Sequence, residues 1–390
     1  MSFACSPVVA GFCLLQFTGI KMAIITPAEL RHLLHQTPEL MFEEFETTKL
    51  LLAALTDLPG LVIHRPLPTG LVVEYTVNNG DYLLFRADID ALPIEEKTGV
   101  PFASKNKCMH ACGHDVHTAT LFGFVRYVVE NKIDQNIVFV FQPGEEGGGG
   151  AEQVIKSGVL DSFSIRHAFA LHVTDEYPAG TIATTSGVLF ASAVEIDVFF
   201  HGKAAHVAFP ERGINALKAM RVFLDHVDTI IESYTEPIMF GCGKVSAGVV
   251  RNIIAAEAKC ECTLRTLSVH KLQGITDQFK TVLTRLETEM GLTSDMHISS
   301  PYTEVVVDSH LFSIAKDALS PRFNFIDCGY KMTAEDFGLF SHKYPSFMFW
   351  LGTSLGERYG LHTPYFLPDD SMIEQGISAF AILLQAVTKK

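Results

Sequence analysis

The chain has 390 residues, 48% hydrophobic and 19% charged, which suits a folded protein larger than one average domain. Thirty Lys and Arg stand against 44 Asp and Glu, giving a net charge of −14. That balance argues against a nucleic-acid binder and against a protein drawn to an anionic membrane. Eight cysteines are too few for a disulfide scaffold and fit a reducing, cytoplasmic compartment.

Residues 3–20 are mostly apolar but lack the basic residues that open a secretory signal. Met22 offers a second start, just ahead of Thr26-Pro27-Ala28-Glu29, a good helix start. Residues 1–22 are therefore read as an upstream extension or a misassigned start. A signal or membrane anchor is the lesser reading, and no membrane partner is expected. A helical pattern follows over 26–55, with Pro38-Glu39-Leu40 inside it.

Apolar runs at 71–75, 82–87, 137–141, 167–171 and 347–351 predict buried strands. The second run ends in Asp88-Ile89-Asp90, and the third in Gln142-Pro143-Gly144-Glu145-Glu146. The fourth ends at His172 and the fifth at Gly352-Thr353. Open α/β sheets gather their function at such C-terminal strand ends. Residues 190–300 read differently. Strand 193–201, helix 214–234, strands 243–250 and 255–266, helix 269–290 and strand 295–299 make a β-α-β-β-α-β order. The α/β character resumes after Pro301, so this unit is inserted. The expected fold is α/β: a discontinuous catalytic domain (residues 23–188 and 300–390) with a mixed, mainly parallel sheet flanked by helices. A ferredoxin-like lid or dimerisation domain is expected over 189–299.

The densest chemistry is Met109-His110-Ala111-Cys112-Gly113-His114-Asp115-Val116-His117. Imidazole and thiolate together suit Zn, Mn, Co or Ni. Spacing alone does not say which members bind, and no second CxxC or HxxxH pair makes this a zinc finger. Glu145 and Glu146 precede four glycines. Adjacent carboxylates in such a turn point in different directions, so one can ligate a metal while the other holds a water. A phosphate loop is excluded, because Gly-Lys-Ser/Thr is missing. Asp88 and Asp90 lie two apart, so on an extended chain both face one side. The plain alternative is that Asp90 caps a helix. His172 and His362 would be unremarkable alone.

Six ordered tracts carry a family resemblance. They are Arg86-Ala87-Asp88-Ile89-Asp90-Ala91-Leu92-Pro93-Ile94, Met109 to Asp115, Phe141-Gln142-Pro143-Gly144-Glu145-Glu146-Gly147, Gly202-Lys203-Ala204-Ala205-His206, Glu335-Asp336-Phe337 and Leu361-His362. From about Arg31 onward the chain resembles the metal-dependent amidohydrolases of the M20 peptidase clan. The subgroup holds N-acetyldiaminopimelate deacetylase, hippurate hydrolase and auxin-conjugate hydrolases. The resemblance implies two divalent ions held by Cys112, His114, Glu146, His172 and His362, with Cys112 in place of a bridging carboxylate. It implies Glu145 as general base and Asp88 as the second active-site carboxylate. Asp90 is expected to orient a ligand, and His110 and His117 are expected to flank the site. His206 is implied as an oxyanion donor reaching a partner subunit, hence a homodimer. Asn252 and Arg265, thirteen positions apart on adjacent strands, are implied to hold a substrate carboxylate. Two departures stand out: Ala334 where relatives often have Gly or Ser, and Ala204-Ala205 where Gly-Gly is common.

The expected activity is metal-dependent hydrolysis of N-acyl-L-amino acids, releasing a carboxylate and an amine. Tracts 183–191 and 344–352 resemble the deacetylases of the subgroup, which implies N-acetyl-LL-diaminopimelate, an intermediate of lysine biosynthesis, as substrate. Rival readings are an amidohydrolase for hippurate or another aromatic N-acyl amino acid, a dipeptidase, or a silent metal-binding scaffold.

Overall fold

The computed structural model describes residues 25–388. Residues 1–22, with their reading as an extension, therefore lie outside the described residues.

Helix α1 (Pro27–Gln36) opens with a reciprocal capping box between Thr26 and Glu29. The single helical stretch expected over 26–55 is two helices. Pro38 cannot continue α1, and α2 (Phe45–Leu55) begins only after an eight-residue break. The break is used: Leu40 bridges to Ala91, and Glu44 accepts the Gly144 N–H at 2.8 Å. There follow β1 (Leu61–His64), β2 (Leu71–Tyr75), β3 (Tyr82–Asp88), α3 (His114–Glu130), β4 (Asn136–Gln142), α4 (Gly150–Lys156), β5 (Ile165–Pro178), β6 (Thr181–Thr184) and β7 (Gly187–Phe190).

The next elements form a unit with its own sheet and core. They are β8 (Ser192–His201), α5 (Ala216–Glu232), β9 (Ile238–Ala247), β10 (Glu257–Thr266), α6 (Val269–Met290) and β11 (Thr293–Tyr302). The sheet runs β11-β8-β10-β9, all antiparallel. Strand β10 alternates buried and part-exposed residues, as a sheet with one covered face demands. Phe200 and Leu264 of the sheet pack against Phe223 of α5 and Phe279 and Leu283 of α6.

The chain then returns through β12 (Val305–Val307), α7 (Ser309–Leu319), β13 (Asn324–Asp327), α8 (Gly338–Lys343), β14 (Ser346–Ser354) and α9 (Ser371–Thr388). The large sheet has the order β1-β2-β4-β3-β5-β14-β6-β13. Its central strands β4, β3, β5 and β14 are mutually parallel, so their C-terminal ends open on one side. These strands are almost wholly buried, which explains their unbroken apolar runs. Helix α9 is long and apolar enough to cross a membrane, yet Met372, Phe380, Leu383 and Leu384 are buried in the core, where it packs on α3.

One expected strand end moves. Strand β5 does not stop at His172 but continues to Pro178, because β14 pairs with it through that point. On its other side β3 stops pairing at Arg86↔Ala170. His172 thus lies just past the end of a neighbouring strand, where that flank of the sheet opens.

Candidate metal centre

The centre is built where α3 starts against the open ends of β3, β4 and β5. Gly113 makes this junction possible. Its φ is 86°, and a Cβ there would lie 2.3 Å from Val173. The turn places Cys112 and His114 on one side and aims Asp115 away, toward α1.

Five side chains converge on this point. Cys112 Sγ lies 3.4 Å from His172 Nε2 and 3.2 Å from His362 Nε2. His362 Nε2 lies 3.2 Å from Glu146 Oε1. Two ligand groups result: Cys112, His114 and His172, and Cys112, Glu146 and His362, with each group's donor atoms within 4.8 Å of one another. Cys112 belongs to both.

The ring nitrogens sort the histidines. His172 Nδ1 donates to the Val173 carbonyl at 2.8 Å, which leaves Nε2 as a lone pair facing Cys112. His114 Nδ1 faces the carbonyl and carboxylate oxygens of Asp90, both at 3.1 Å. Its Nε2 is buried and has no hydrogen-bond partner among the described residues. An orphaned buried nitrogen beside a thiol and a second free imidazole fits a cation. His117 differs. The Val173 N–H donates to its Nε2 at 2.9 Å, so Nδ1 carries the proton and donates to Asp88 at 2.6 Å. Both nitrogens are occupied, so the neighbouring group Asp88, His114 and His117 is a poor cage despite its compactness. His110 belongs to none of the groups.

Electrostatics point the same way. Burial, followed by the Glu146, Glu145 and Asp88 carboxylates, pushes the Cys112 thiol well up. Against the cost of burial, Asp88 and Asp90 raise His114 to about 10. Burial and then the charges of Glu335, Glu146 and Asp336 raise Glu145 well above the carboxylate range. Such a concentration of negative charge and buried donors is relieved by divalent cations, which also deprotonate a coordinated thiol.

Asp90 caps no helix. One oxygen faces His114 and the other accepts the Glu146 N–H at 2.9 Å. Asp88 is fully buried, bound to Arg86 at 2.7 Å and to His117, and lies 3.8 Å from His114 Nε2. Glu145 sits deeper than Glu146, and its Oε1 accepts the Asp336 N–H at 3.4 Å. Around it lies a network the motifs outline only in part. Arg86, fully buried, donates to Asp88, Asp336 and Gln142 and lies 3.0 Å from Glu335. Gly150 closes the loop after Glu146, since a Cβ there would meet the Pro143 carbonyl oxygen at 1.6 Å. Tyr302 escapes the motifs. Its hydroxyl donates to the Glu145 carbonyl at 2.8 Å and accepts the Gly147 N–H at 2.6 Å. No local sequence signal marks it.

The structure does not bring the three expected substrate residues together within one chain. Asn252 is on no strand; it lies in the exposed turn between β9 and β10, past Gly248 at φ 64°. His206 is exposed beside it: His206 bridges to Ile253, and the Asn252 carbonyl accepts the Val207 N–H at 3.0 Å. Arg265 lies near the other end of β10, with its Nη1 on the Met332 carbonyl at 2.8 Å. Eight residues of strand separate Glu257 from Arg265, roughly 25 Å. One chain's Asn252 and Arg265 therefore cannot grip one carboxylate.

Comparison with known proteins agrees with this architecture. The profile of peptidase family M20/M25/M40 matches residues 84–386. An N-acetyldiaminopimelate deacetylase of Exiguobacterium sibiricum is 37% identical over 88% of this chain and 95% of its own length. The Bacillus subtilis N-acetyldiaminopimelate deacetylase is 36% identical over 89% of this chain and 95% of its own. Among solved structures, the YXEP protein of Bacillus subtilis, described as a dinuclear metal-binding peptidase of the M20 family, is 30% identical. It superposes with a TM-score of 0.79, covering 93% of this chain and 97% of its own. With a family profile spanning most of the chain and relatives above 30% identity along nearly their whole lengths, the chain belongs to peptidase family M20/M25/M40.

Proposed function

We propose that the chain is a two-metal amidohydrolase that cleaves the amide bond of N-acyl-L-amino acids. The observation that carries this reading is the pair of ligand groups meeting at Cys112, with Glu145 buried beside them. Cys112, His114 and His172 would hold one divalent ion, and Cys112, Glu146 and His362 the other. Such ions, when bound, supply Lewis acidity that activates water and polarises a carbonyl.

The chain's own residues do the rest. Glu145 takes the proton of the attacking water and delivers it to the leaving amine. Its burial beside the ligand groups suits it to both roles. Asp88, bonded to Arg86 and His117, supports the centre from beneath rather than touching the substrate. Arg265, at the inner end of β10, binds the substrate carboxylate, a task its planar fork favours. Residues 189–299 form the lid and dimerisation domain. His206 and Asn252, far along β10 from Arg265, complete the site of a second subunit in a homodimer, where His206 donates to the oxyanion.

The named relatives make N-acetyl-LL-2,6-diaminopimelate the first substrate to test; its hydrolysis gives LL-diaminopimelate and acetate. A panel of N-acetyl, N-benzoyl and N-succinyl amino acids with free dipeptides, assayed with Zn, Mn, Co and Ni in turn, tests this. The N-acetyl diaminopimelate compound should show the highest kcat/KM. Preference for N-benzoyl amino acids would identify a hippurate-type enzyme, and preference for dipeptides a dipeptidase. No turnover with any pair would leave a metal-binding scaffold.

A further inference from the structure

His362 is carried by a loop, while Cys112 precedes a helix and His172 sits within a strand. The loop joins β14 to α9, and Leu355 and Tyr359 on it are well exposed. His362 itself has φ 60°, a left-handed conformation that a non-glycine residue adopts only when its surroundings impose it. Two attachments impose it here. The His362 N–H donates to the Ala111 carbonyl at 2.9 Å. The N–H groups of Tyr359 and Gly360 both donate to one oxygen, Asp175 Oδ2, at 2.6 and 2.8 Å.

Asp175 is buried on β5, three residues beyond His172. It forms no ion pair among the described residues and belongs to none of the ligand groups. A buried carboxylate needs strong hydrogen bonds, and bonds from N–H to an ionised oxygen are of that kind. Those to the loop are the ones it has. Strand β5 therefore carries a ligand of one group directly and anchors a ligand of the other through a side chain.

We propose that Asp175 is the positioning residue for His362: it fixes the loop to β5 so that the second ligand group forms at a set distance from the first. This rests on the two-ion reading. Its consequence is selective. Without Asp175 the Cys112, His114 and His172 group keeps its donors, while the Cys112, Glu146 and His362 group loses a held imidazole.

The test uses the full chain loaded with Zn²⁺, as wild type, Asp175→Ala, Asp175→Asn and His362→Ala. Zinc per chain is measured after dialysis against a zinc buffer, and amide hydrogen exchange is measured on the metal-free proteins. Wild type should hold two ions and His362→Ala one. Asp175→Ala should weaken the same ion that His362→Ala loses, lowering its affinity about tenfold or more. Asp175→Asn keeps an acceptor oxygen and should lie between Asp175→Ala and wild type. In Asp175→Ala the Tyr359 and Gly360 amides should exchange about tenfold faster or more, with the β5 amides unchanged. Two ions at wild-type affinity in Asp175→Ala would overturn the proposal. So would loss of both ions with exchange accelerated throughout the sheet. If wild type holds other than two ions, the two-ion reading fails instead. Exchange at Tyr359 and Gly360 then decides the anchoring alone, and unchanged rates overturn it.

Discussion

A buried histidine takes its role from what its two nitrogens touch. His114, His117 and His172 crowd one corner, and their rings lie within 6 Å of one another. Two keep a free nitrogen facing the centre and one does not. The difference for His117 is a backbone N–H from Val173, 56 residues away. That is why the residue types of the centre were legible in the sequence while its membership was not. Imidazoles, a thiol and paired carboxylates mark the chemistry. The lone pairs that remain depend on contacts across the sheet. The family resemblance implies Cys112, His114, Glu146, His172 and His362 as ligands, and the fold brings these five side chains together. Tyr302 and Asp175 lie outside every motif, since each acts by hydrogen-bonding to backbone, which any sequence can offer.

At the scale of elements, apolar runs located the central strands because a strand covered on both faces has no polar period. Elements depart from their sequence pattern where tertiary contacts end or redirect them. The break between α1 and α2 serves Leu40 and Glu44, and β5 runs on because β14 holds it. The α1–α3 contact carries a testable consequence. Asp115, in the first turn of α3, accepts from Arg31 and His35 of α1, each at 2.9 Å, and His35 also meets Glu96 at 3.1 Å. Against the cost of burial, Asp115 and Glu96 raise His35 to about 9. A histidine whose pKa rises on folding adds stability that is fully present below its unfolded value of 6.5. That stability is lost as pH climbs through about 9. The effect is at most on the order of 3 kcal/mol. Urea midpoints of wild type should therefore fall between about pH 6.5 and 9, and His35→Gln should flatten that slope. A slope equal in both proteins would remove His35 as its source.

At the scale of the whole molecule, length implied more than one core, and two cores are present, one around the eight-stranded sheet and one against the four-stranded sheet. The acidic balance of −14 has a local meaning at the centre, where carboxylates and a thiol gather around buried nitrogens. Under the proposed shared site, His206 and Asn252, roughly 25 Å of strand from Arg265, come from a second subunit. Glu145→Gln should keep its ions and fold while losing turnover by orders of magnitude, and His206→Ala should lower kcat. Mixed dimers of the two should recover part of the activity, because one of their two sites then has both residues. Verified mixed dimers without recovery would refute the shared site. If one thiolate serves two ions, Cys112→Ala removes a donor from both, and the decisive measurement is the count of tightly bound metal in wild type and Cys112→Ala. Two ions per chain are expected in the wild type and neither in the variant, with the fold retained. A Cys112→Ala protein that still binds either ion at wild-type affinity would contradict the shared thiolate.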